Sequence, residues 1–333
     1  MANGVSENLI QRPGSRMAAL IESMRISHWI KNSFVAAPII FSGQFVQLQA
    51  WGRCLAAVTA YCLLSSSVYI INDIADRNRD RLHPVKRNRP VASGRLGIGS
   101  AMAAAVILLV CGLGIAVAVE FFTYDPGRPL HGMGLVVWTG LYLALNLLYS
   151  FWLKTRAMVD VIAVALGFVL RAMAGAAAIS VPISPWLVIC TFSLCLFIAL
   201  AKRRSEILTL SVEQAAGSRE VNRSYEPIDL EHMLTVSSAL AIVTYALYCV
   251  APQTVSRIGS AHMIWTIPLV VYGMFRYNRT TRMAARSDAV SVLVRDRIMW
   301  AVMIVYLAIV MLVLTFGAHD AVRPILDVQA GSR

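Results

Sequence analysis

Residues 69–94 read YIINDIADRNRDRLHPVKRNRPVASG, and they contain the change from an apolar segment to a strongly charged one. The stretch begins at the end of an apolar run that is long enough to cross a bilayer as a helix. It ends in a basic loop that lies between Pro84 and Pro90. This change predicts the point at which a membrane-spanning helix leaves the hydrocarbon.

The composition of the whole chain supports a membrane protein. Of its 333 residues, 58% are hydrophobic and 14% are charged, whereas about 25% are charged in a soluble protein. The mean hydropathy is +0.64. We therefore predict an all-α, polytopic membrane protein with about nine transmembrane helices, and a single domain over 1–333 with a flexible N-terminus (about 1–20) and C-terminal tail (about 319–333). The apolar windows cover residues 32–50, 54–74, 99–122, 133–152, 158–180, 184–201, 235–254, 261–275 and 299–318.

The distribution of cations predicts the orientation in the membrane. The net charge is +12, and 24 of the 30 Lys and Arg residues fall on one side of the predicted spans. Five fall on the other side, and Arg171 lies within a span. This asymmetry predicts a cytoplasmic N-terminus and, with nine spans, a C-terminus outside. Nucleic acid is not an expected partner, because the charges are spread over loops between apolar segments.

Three aspartates give the first indication of chemistry. Asp73, Asp76 and Asp80 are spaced so that a helix would place their carboxylates on one face. Such a group at the end of an apolar span is costly unless a cation lies among its members. Mg²⁺ takes one or two carboxylates and completes its shell with water and phosphate oxygens. The alternative is local pairing, of Asp73 with Arg77 and of Asp76 with Arg79.

The basic loop that follows suits phosphate. Lys86, Arg87 and Arg89 lie between the two prolines, which restrict the backbone and reduce the entropy lost on binding. Arg offers phosphate a planar fork of donors, and Lys offers it a point charge. The alternative is a cluster that only sets the topology of the chain.

Further charges lie near the ends of later spans. Lys154 follows the fourth span, and Lys202 and Arg203 end the sixth. Arg171 is a charge inside the fifth span and should face the protein interior or a wet cavity. The alternatives are a membrane-surface anchor for Lys154, a topological role for the Lys202 cluster, and a structural ion pair of Arg171 with Asp160.

Two motifs resemble the UbiA superfamily of intramembrane transferases. Residues 72–80 reproduce its NDxxDxxxD motif, and residues 149–154 reproduce its YxxxLK element. The resemblance extends over roughly residues 20 to 318. It implies a UbiA-like helical bundle with cytoplasmic active-site loops in the bacterial inner (plasma) membrane, with Mg²⁺ as cofactor and Mn²⁺ as an alternative.

Within the superfamily, four segments resemble the branch of decaprenyl-phosphate phosphoribosyltransferases: residues 83–94, 153–175, 201–206 and 293–296. That resemblance implies 5-phosphoribosyl 1-diphosphate as donor and a polyprenyl (decaprenyl) phosphate as acceptor, for synthesis of a cell-wall arabinan (arabinogalactan) precursor. The loop at 202–231 has no DxxxD, unlike prenyltransferases that act on aromatic acceptors. The rival functions are such a prenyltransferase and, in another class, a transporter or lipid carrier.

The resemblance also implies roles for individual residues. Asp73, Asp76 and Asp80 would be the catalytic residues and metal ligands. His83 and Asp160 are candidates for orienting the groups around the site. The sequence leaves open whether the protein forms a homo-oligomer. The candidates for binding substrate phosphates are Asn72, Lys86, Arg87, Arg89, Tyr149, Lys154, Arg171, Lys202 and Arg203.

Overall fold

The computed structural model describes residues 16–123, 134–182, 184–208, 225–283 and 296–316. All regular secondary structure in these ranges is helical, which confirms the all-α prediction. Short 3-10 turns join several of the helices. The α-helices are α1 Arg16–Met24, α2 Ser33–Phe41, α3 Leu48–Ala75, α4 Arg77–Arg81, α5 Pro90–Ser93, α6 Ile98–Thr123, α7 Leu135–Phe151, α8 Val159–Ala178, α9 Pro185–Leu208, α10 Pro227–Val250, α11 Pro252–Ile258, α12 Ile267–Met283 and α13 Arg297–Phe316.

Each of the nine predicted apolar windows contains helix, but not every helix has the length of a full span. Within the described ranges, six helices are long and apolar enough to cross a membrane, namely α3, α6, α8, α9, α10 and α13. The pair α11 and α12, bent by 99° where they join, would add a seventh span. Helix α7 is apolar but has only 17 residues. The structure is thus compatible with the predicted nine spans without establishing that number.

The first predicted window, 32–50, does not form one helix. Helix α2 ends at Phe41, because Ser42 and Gly43 close it and Gly43 adopts a positive φ of 74°. The chain then makes a short 3-10 turn, and α3 begins at Leu48. Helix α3, which contains the second predicted window (54–74), therefore begins earlier than that window.

The eighth predicted window, 261–275, also differs. Gly259, with φ 80°, ends α11, and a 3-10 turn over His262–Thr266 precedes α12. Helix α12 then continues to Met283, eight residues beyond the predicted end. A glycine in the left-handed region lets the chain change direction here at little steric cost.

Helix α8 lies at the centre of the bundle and packs against α2, α3, α7 and α9. Its buried positions are rich in small residues, including Ala165, Ala174 and Ala178. Small side chains let helix backbones approach closely inside a membrane. The closest approach is at Gly175, where a Cβ atom would overlap the backbone carbonyl of Val35 in α2.

Helix α1 contacts the segment that follows the basic loop through an ion pair between Glu22 and Arg95. Arg95 makes two hydrogen bonds to the carboxylate of Glu22, at 2.8 and 2.9 Å, and a third to the carbonyl of Asn88 at 2.7 Å. Helix α1 begins at Arg16, within the segment expected to be flexible to about residue 20, and that expectation stays a prediction. Residues 1–15 and the expected tail from 319 lie outside the described residues.

Candidate active site

The aspartate motif lies where α3 ends. Helix α3 stops at Ala75, and Asp76 has φ −86° and ψ 2°, so that α4 starts as a separate short helix. The three carboxylates therefore do not line one face of a continuous helix, and that prediction is wrong. Asp73 and Asp80 are almost fully buried, whereas the side chain of Asp76 is 33% exposed.

The buried pair shares one guanidinium. Nη1 of Arg89 donates to Asp73 Oδ1 at 3.2 Å and to Asp80 Oδ2 at 2.8 Å. Arg89 stands directly before Pro90 in an extended conformation, with ψ 144°. A residue before proline is restricted to such conformations. Pro90, which restricts the backbone of the loop, thus also helps to direct this side chain toward the motif.

Arg25 is a second cation on Asp73, and sequence reasoning did not identify it. Its Nη2 donates to Asp73 Oδ1 at 2.6 Å, and its guanidinium lies 5.1 Å from the centre of the Tyr69 ring. Its backbone is left-handed, with φ 52°, at the junction between α1 and the next 3-10 turn. A non-glycine residue in that region is uncommon and indicates a constraint from its surroundings. The sequence gives no signal beyond Arg25 being one of three arginines before the first apolar window.

Asp76 pairs with a different part of the chain. Lys154 Nζ lies 2.9 and 3.0 Å from the two carboxylate oxygens of Asp76. Lys154 belongs to the 3-10 turn between α7 and α8, 78 residues away. The alternative of local pairing with Arg77 and Arg79 is therefore wrong, because these carboxylates take partners from distant segments. Lys154 thus has a partner in the motif, whether or not it also anchors the chain at the membrane surface.

The loop between α4 and α5 is held by its own backbone contacts. The amides of Val85 and Lys86 donate to Nδ1 of His83, at 3.2 and 3.3 Å. Partial burial, together with the nearby ammonium of Lys86, lowers the pKa of His83 below its usual value. The neutral imidazole thus acts as an acceptor that shapes the loop. Lys86 is half-buried beside it, and Arg87 is exposed.

A second charged cluster lies where α8 begins and α9 ends. Asp160, which is fully buried, accepts a hydrogen bond from Arg203 Nη2 and another from the hydroxyl of Tyr225, at 2.6 Å for the latter. The Tyr225 oxygen in turn accepts the amide of Met158 at 2.6 Å. Burial, and then the bond to the carboxylate, raise the pKa of Tyr225, so its hydroxyl keeps its proton. Arg203 also contacts Glu206 at 2.7 Å.

Arg171 does not pair with Asp160, so the proposed structural ion pair between them is wrong. The guanidinium of Arg171 donates to Asn32 Oδ1 at 2.9 Å, to the carbonyl of Gly167 at 3.0 Å and to the hydroxyl of Tyr142 at 2.9 Å. It also lies 4.7 Å from the centre of the Tyr142 ring. Eleven residues separate it from Asp160 on α8, which is about 16 Å along the axis. Arg171 therefore joins α7 and α8 to the 3-10 turn that leads into α2.

Comparison with known proteins identifies the family that has this arrangement. Residues 34–295, which are most of the chain, match the UbiA prenyltransferase family. The chain belongs to the UbiA prenyltransferase family. It is a multi-pass membrane protein and a UbiA-superfamily transferase.

Relatives of known name support the same placement. A decaprenyl-phosphate phosphoribosyltransferase from Corynebacterium glutamicum is 33% identical over 73% of this chain and 71% of its own length. Another, from Mycobacterium tuberculosis, is 29% identical over 94% of this chain and 100% of its own length. Among solved structures, a UbiA homolog from Archaeoglobus fulgidus bound to GPP and Mg²⁺ superposes with a TM-score of 0.65. It covers 89% of this chain and 99% of its own, at 15% identity, and so supports the UbiA fold.

The remaining candidate residues of this UbiA-family chain lie near the two clusters. Asn72 is in the last turn of α3 beside Asp73, and Tyr149 is in the last turns of α7, two residues before that helix ends. Both are partly buried. Lys202 is exposed at the end of α9. Their roles toward substrate stay predictions.

Arg204 was not singled out by sequence reasoning, yet it is buried and joins three helices. It contacts Glu231 of α10 at 3.2 Å, and the carbonyl of Asn278 and the hydroxyl of Thr281 in α12 at 3.0 and 3.2 Å. Arg282 shares the carboxylate of Glu231 at 2.8 Å. The sequence places Arg204 beside Arg203 without distinguishing the two, because their difference depends on the helix face each occupies.

The residues of the motif fit a divalent cation. In the described ranges no three His, Cys, Asp or Glu side chains form a group ready to hold a metal. However, one nitrogen of Arg89 lies between oxygens of Asp73 and Asp80, so a position that favours positive charge already exists there. Two carboxylates suit Mg²⁺ when phosphate oxygens complete its shell. Asp73 and Asp80 could thus hold such an ion, whereas the carboxylate of Asp76 is bonded to Lys154.

Proposed function

We propose that this chain transfers the 5-phosphoribosyl group of 5-phosphoribosyl 1-diphosphate to a polyprenyl phosphate, such as decaprenyl phosphate, and releases diphosphate. The bond from C1 to the diphosphate oxygen breaks, and a bond from C1 to an acceptor phosphate oxygen forms. Because the acceptor is already an anion, the reaction needs no general base. The product would serve as a precursor of cell-wall arabinan.

The observation that carries the proposal is the convergence of three cations on the aspartate motif. Arg25, Arg89 and Lys154 come from three separate segments of the chain, and each contacts a motif carboxylate. Alternating acids and bases in one place suit a diphosphate with a divalent ion, since the carboxylates hold the ion and the cations hold the phosphates. The names of the relatives supply the phosphoribosyl donor and the polyprenyl phosphate acceptor.

The catalytic demand is mainly electrostatic. Negative charge develops on the leaving diphosphate, and preorganised cations stabilise it best in a site with little water. Arg89 and Arg25 would hold the diphosphate, and Lys154 would hold a second phosphate. When bound, Mg²⁺ or Mn²⁺ would add charge neutralisation at the leaving group, held by Asp73, Asp80 and Asp76.

The second cluster favours this donor over a prenyl diphosphate. The segment at the end of α9 is basic, and the one carboxylate of α8 beside it, Asp160, is already bonded to Arg203 and Tyr225. A second metal on an allylic diphosphate would need free carboxylates there. With Lys202 nearby, this end of α9 suits the phosphate of a donor ribose or of a lipid acceptor.

We also propose the orientation and the membrane. Twenty-four of 30 Lys and Arg residues fall on the side of the motif, which favours a cytoplasmic site and N-terminus in a bacterial inner membrane. Soluble 5-phosphoribosyl 1-diphosphate would then reach the site from the cytoplasm.

The test uses the full chain in lipid nanodiscs with radiolabelled 5-phosphoribosyl 1-diphosphate, decaprenyl phosphate and Mg²⁺. We expect a labelled lipid product and diphosphate in equal amounts, and neither product after chelation of the metal. Parallel reactions supply geranylgeranyl diphosphate with an aromatic acceptor. Consumption of the prenyl diphosphate, with no phosphoribosyl transfer, would replace our proposal with the aromatic prenyltransferase. Ligand movement across vesicles without bond cleavage would indicate the transporter.

Two variants tie the activity to the motif. Asp73→Asn and Asp76→Asn should abolish turnover while the protein still accumulates in membranes. Asp229→Asn is the matched control, since Asp229 is an exposed carboxylate in the first turn of α10. Full activity in either motif variant would remove the proposed metal site from the mechanism.

A further inference from the structure

Arg89 occupies a position that a metal ion would also need. Its Nη1 atom contacts oxygens of both Asp73 and Asp80, and both carboxylates are almost fully buried. The side chain of Arg89 itself is 30% exposed. Arg89 is thus the more accessible cation that the two buried acids share, while Arg25 contacts Asp73 alone.

The backbone around Arg89 is fixed, so movement would be confined to its side chain. Its carbonyl accepts the amide and the hydroxyl of Ser93, each at 2.8 Å. The carbonyl of Asn88 accepts Arg95, which is anchored to Glu22. Pro90 restricts the next peptide. Only the torsions of the Arg89 side chain are left to carry the guanidinium from one anion to another.

The Arg89 Nη1 atom and a divalent ion cannot both occupy the position between Asp73 Oδ1 and Asp80 Oδ2. Removing Arg89 from Asp73 and Asp80 costs free energy unless the guanidinium finds another anion nearby. The diphosphate is such an anion, and Arg binds phosphate with two parallel hydrogen bonds. Metal and diphosphate would therefore assist each other through this one side chain, as reciprocal linkage requires.

We propose that Arg89 is an exchange cation: it neutralises Asp73 and Asp80 in the resting protein and moves to the diphosphate when a divalent ion takes its place. The inference rests on the proposed diphosphate chemistry but not on the identity of the donor. Arg89 thereby makes metal binding depend on the presence of diphosphate.

The first test measures Mn²⁺ binding without any donor, by the electron paramagnetic resonance signal of free Mn²⁺ at pH 8. Arg89→Gln should bind Mn²⁺ about tenfold more tightly than the unsubstituted chain, because the competing cation is gone. The same variant should show a raised KM for 5-phosphoribosyl 1-diphosphate at saturating metal. Arg89→Lys keeps the charge, and its Mn²⁺ affinity and KM should lie between those of Arg89→Gln and the unsubstituted chain.

Arg79→Gln is the matched control. Arg79 is an exposed residue of α4, between Asp76 and Asp80 in sequence, so its removal changes the local charge equally. We expect less than a twofold change in Mn²⁺ affinity. If Arg89→Gln binds Mn²⁺ no more tightly than Arg79→Gln, the exchange is wrong.

A second test uses the unsubstituted chain, in case Arg89→Gln fails to fold. Phenylglyoxal labels accessible guanidinium groups, and mass spectrometry compares labelling at Arg89 and Arg79. Saturating Mn²⁺ alone should increase labelling of Arg89 several-fold relative to Arg79, and adding inorganic diphosphate should reverse the increase. Unchanged labelling with Mn²⁺ would overturn the inference. Because neither test follows phosphoribosyl transfer, failure of the proposed donor would be visible separately.

Discussion

Lys154 Nζ bonds both carboxylate oxygens of Asp76, at 2.9 and 3.0 Å, across 78 residues of sequence. The contact joins the turn after α7 to the end of α3 and so links the two sequence motifs of the family. Both side chains are partly exposed, so the pair alone adds little stability. We infer that its value lies in holding a cation beside the substrate.

Lys154→Met should therefore impair catalysis more than folding. We expect kcat/KM to fall about 100-fold, the usual cost of removing one charge-stabilising donor. Thermal unfolding in detergent should change by no more than a degree or two. Lys154→Arg keeps the charge and should recover part of the activity. A variant with normal kinetics would show that Lys154 only anchors the chain at the membrane surface.

The bond between Tyr225 and Asp160 is expected to stabilise the second cluster. Tyr225→Phe removes the hydroxyl from a buried carboxylate and leaves the amide of Met158 without its acceptor. A loss of about 1–3 kcal/mol in the free energy of unfolding should follow. Tyr272→Phe makes the same chemical change at an exposed position of α12 and should be neutral. Equal melting temperatures for the two variants would contradict this account.

We expect Arg171 to stabilise the packing of the helices and not to bind phosphate. Arg171→Lys keeps the charge but cannot reach Asn32, Gly167 and Tyr142 together. We expect a loss of about 2–4 kcal/mol in stability, from hydrogen bonds to a charged group. The KM for the donor should stay within about twofold of normal in protein that folds. A large rise in KM with unchanged stability would restore Arg171 to the phosphate site.

The contact between α8 and α2 has little tolerance for added volume. Gly175→Ala would push a methyl group into the carbonyl of Val35, and a backbone atom cannot move aside as a side chain can. We expect the variant to accumulate poorly and to melt well below the unsubstituted chain. Gly167→Ala is the control on the same helix, because its Cβ would meet only Arg171 Nη1, at 3.6 Å. Similar melting of both variants would show that the helices can separate.

Asp296 caps α13 and should make its stability depend on pH. Its Oδ1 accepts the amides of Ile298 and Met299, and its carboxylate bonds Arg276 through two nitrogens at 2.8 Å. The bond to Arg276 is the main reason that the pKa of Asp296 is lowered. A lowered pKa means that the stabilisation is complete above the ordinary value for Asp, about 3.9, and is lost as the pH falls through the lower native value.

Asp296→Ala should therefore cost about 1 kcal/mol near neutral pH, as for other helix caps. Thermal unfolding should show this difference shrinking as the pH falls below about 4, because the carboxyl group of the unfolded chain then gains a proton before that of the folded protein. Asp296→Asn keeps a capping oxygen, so its stability should lie between those of Asp296→Ala and the unsubstituted chain. A difference that stays constant down to pH 3 would show that the ionised form contributes nothing.

The helices and the main carboxylates could be predicted from local sequence. Transfer of apolar residues into lipid depends on each segment alone, so each apolar window contained helix. The predicted boundaries were wrong at 32–50, which contains Gly43, and at 261–275, which follows Gly259, and both glycines adopt positive φ. Glycine permits that conformation without requiring it, so a single glycine in an apolar run gives no reliable signal.

The partners of the charges were not predictable in the same way. The spacing of Asp73 and Asp76 was as compatible with local pairing to Arg77 and Arg79 as with a metal site. The observed partners instead include Arg25 and Lys154. Arg25 carried no motif, and only the left-handed turn before the first 3-10 segment brings it back over α3. The pairing of Asp160 with Arg203 likewise depends on how α8 and α9 pack.

The sequence by itself determined that the chain is a bundle of membrane helices with an acidic motif beside a basic loop, because those properties follow from residues close together in the chain. Only the tertiary structure decided which cation meets which carboxylate. An ion pair across the bundle depends on helix contacts set by small residues, such as Gly175 against Val35. Those contacts bring together residues dozens of positions apart, and no local pattern records them.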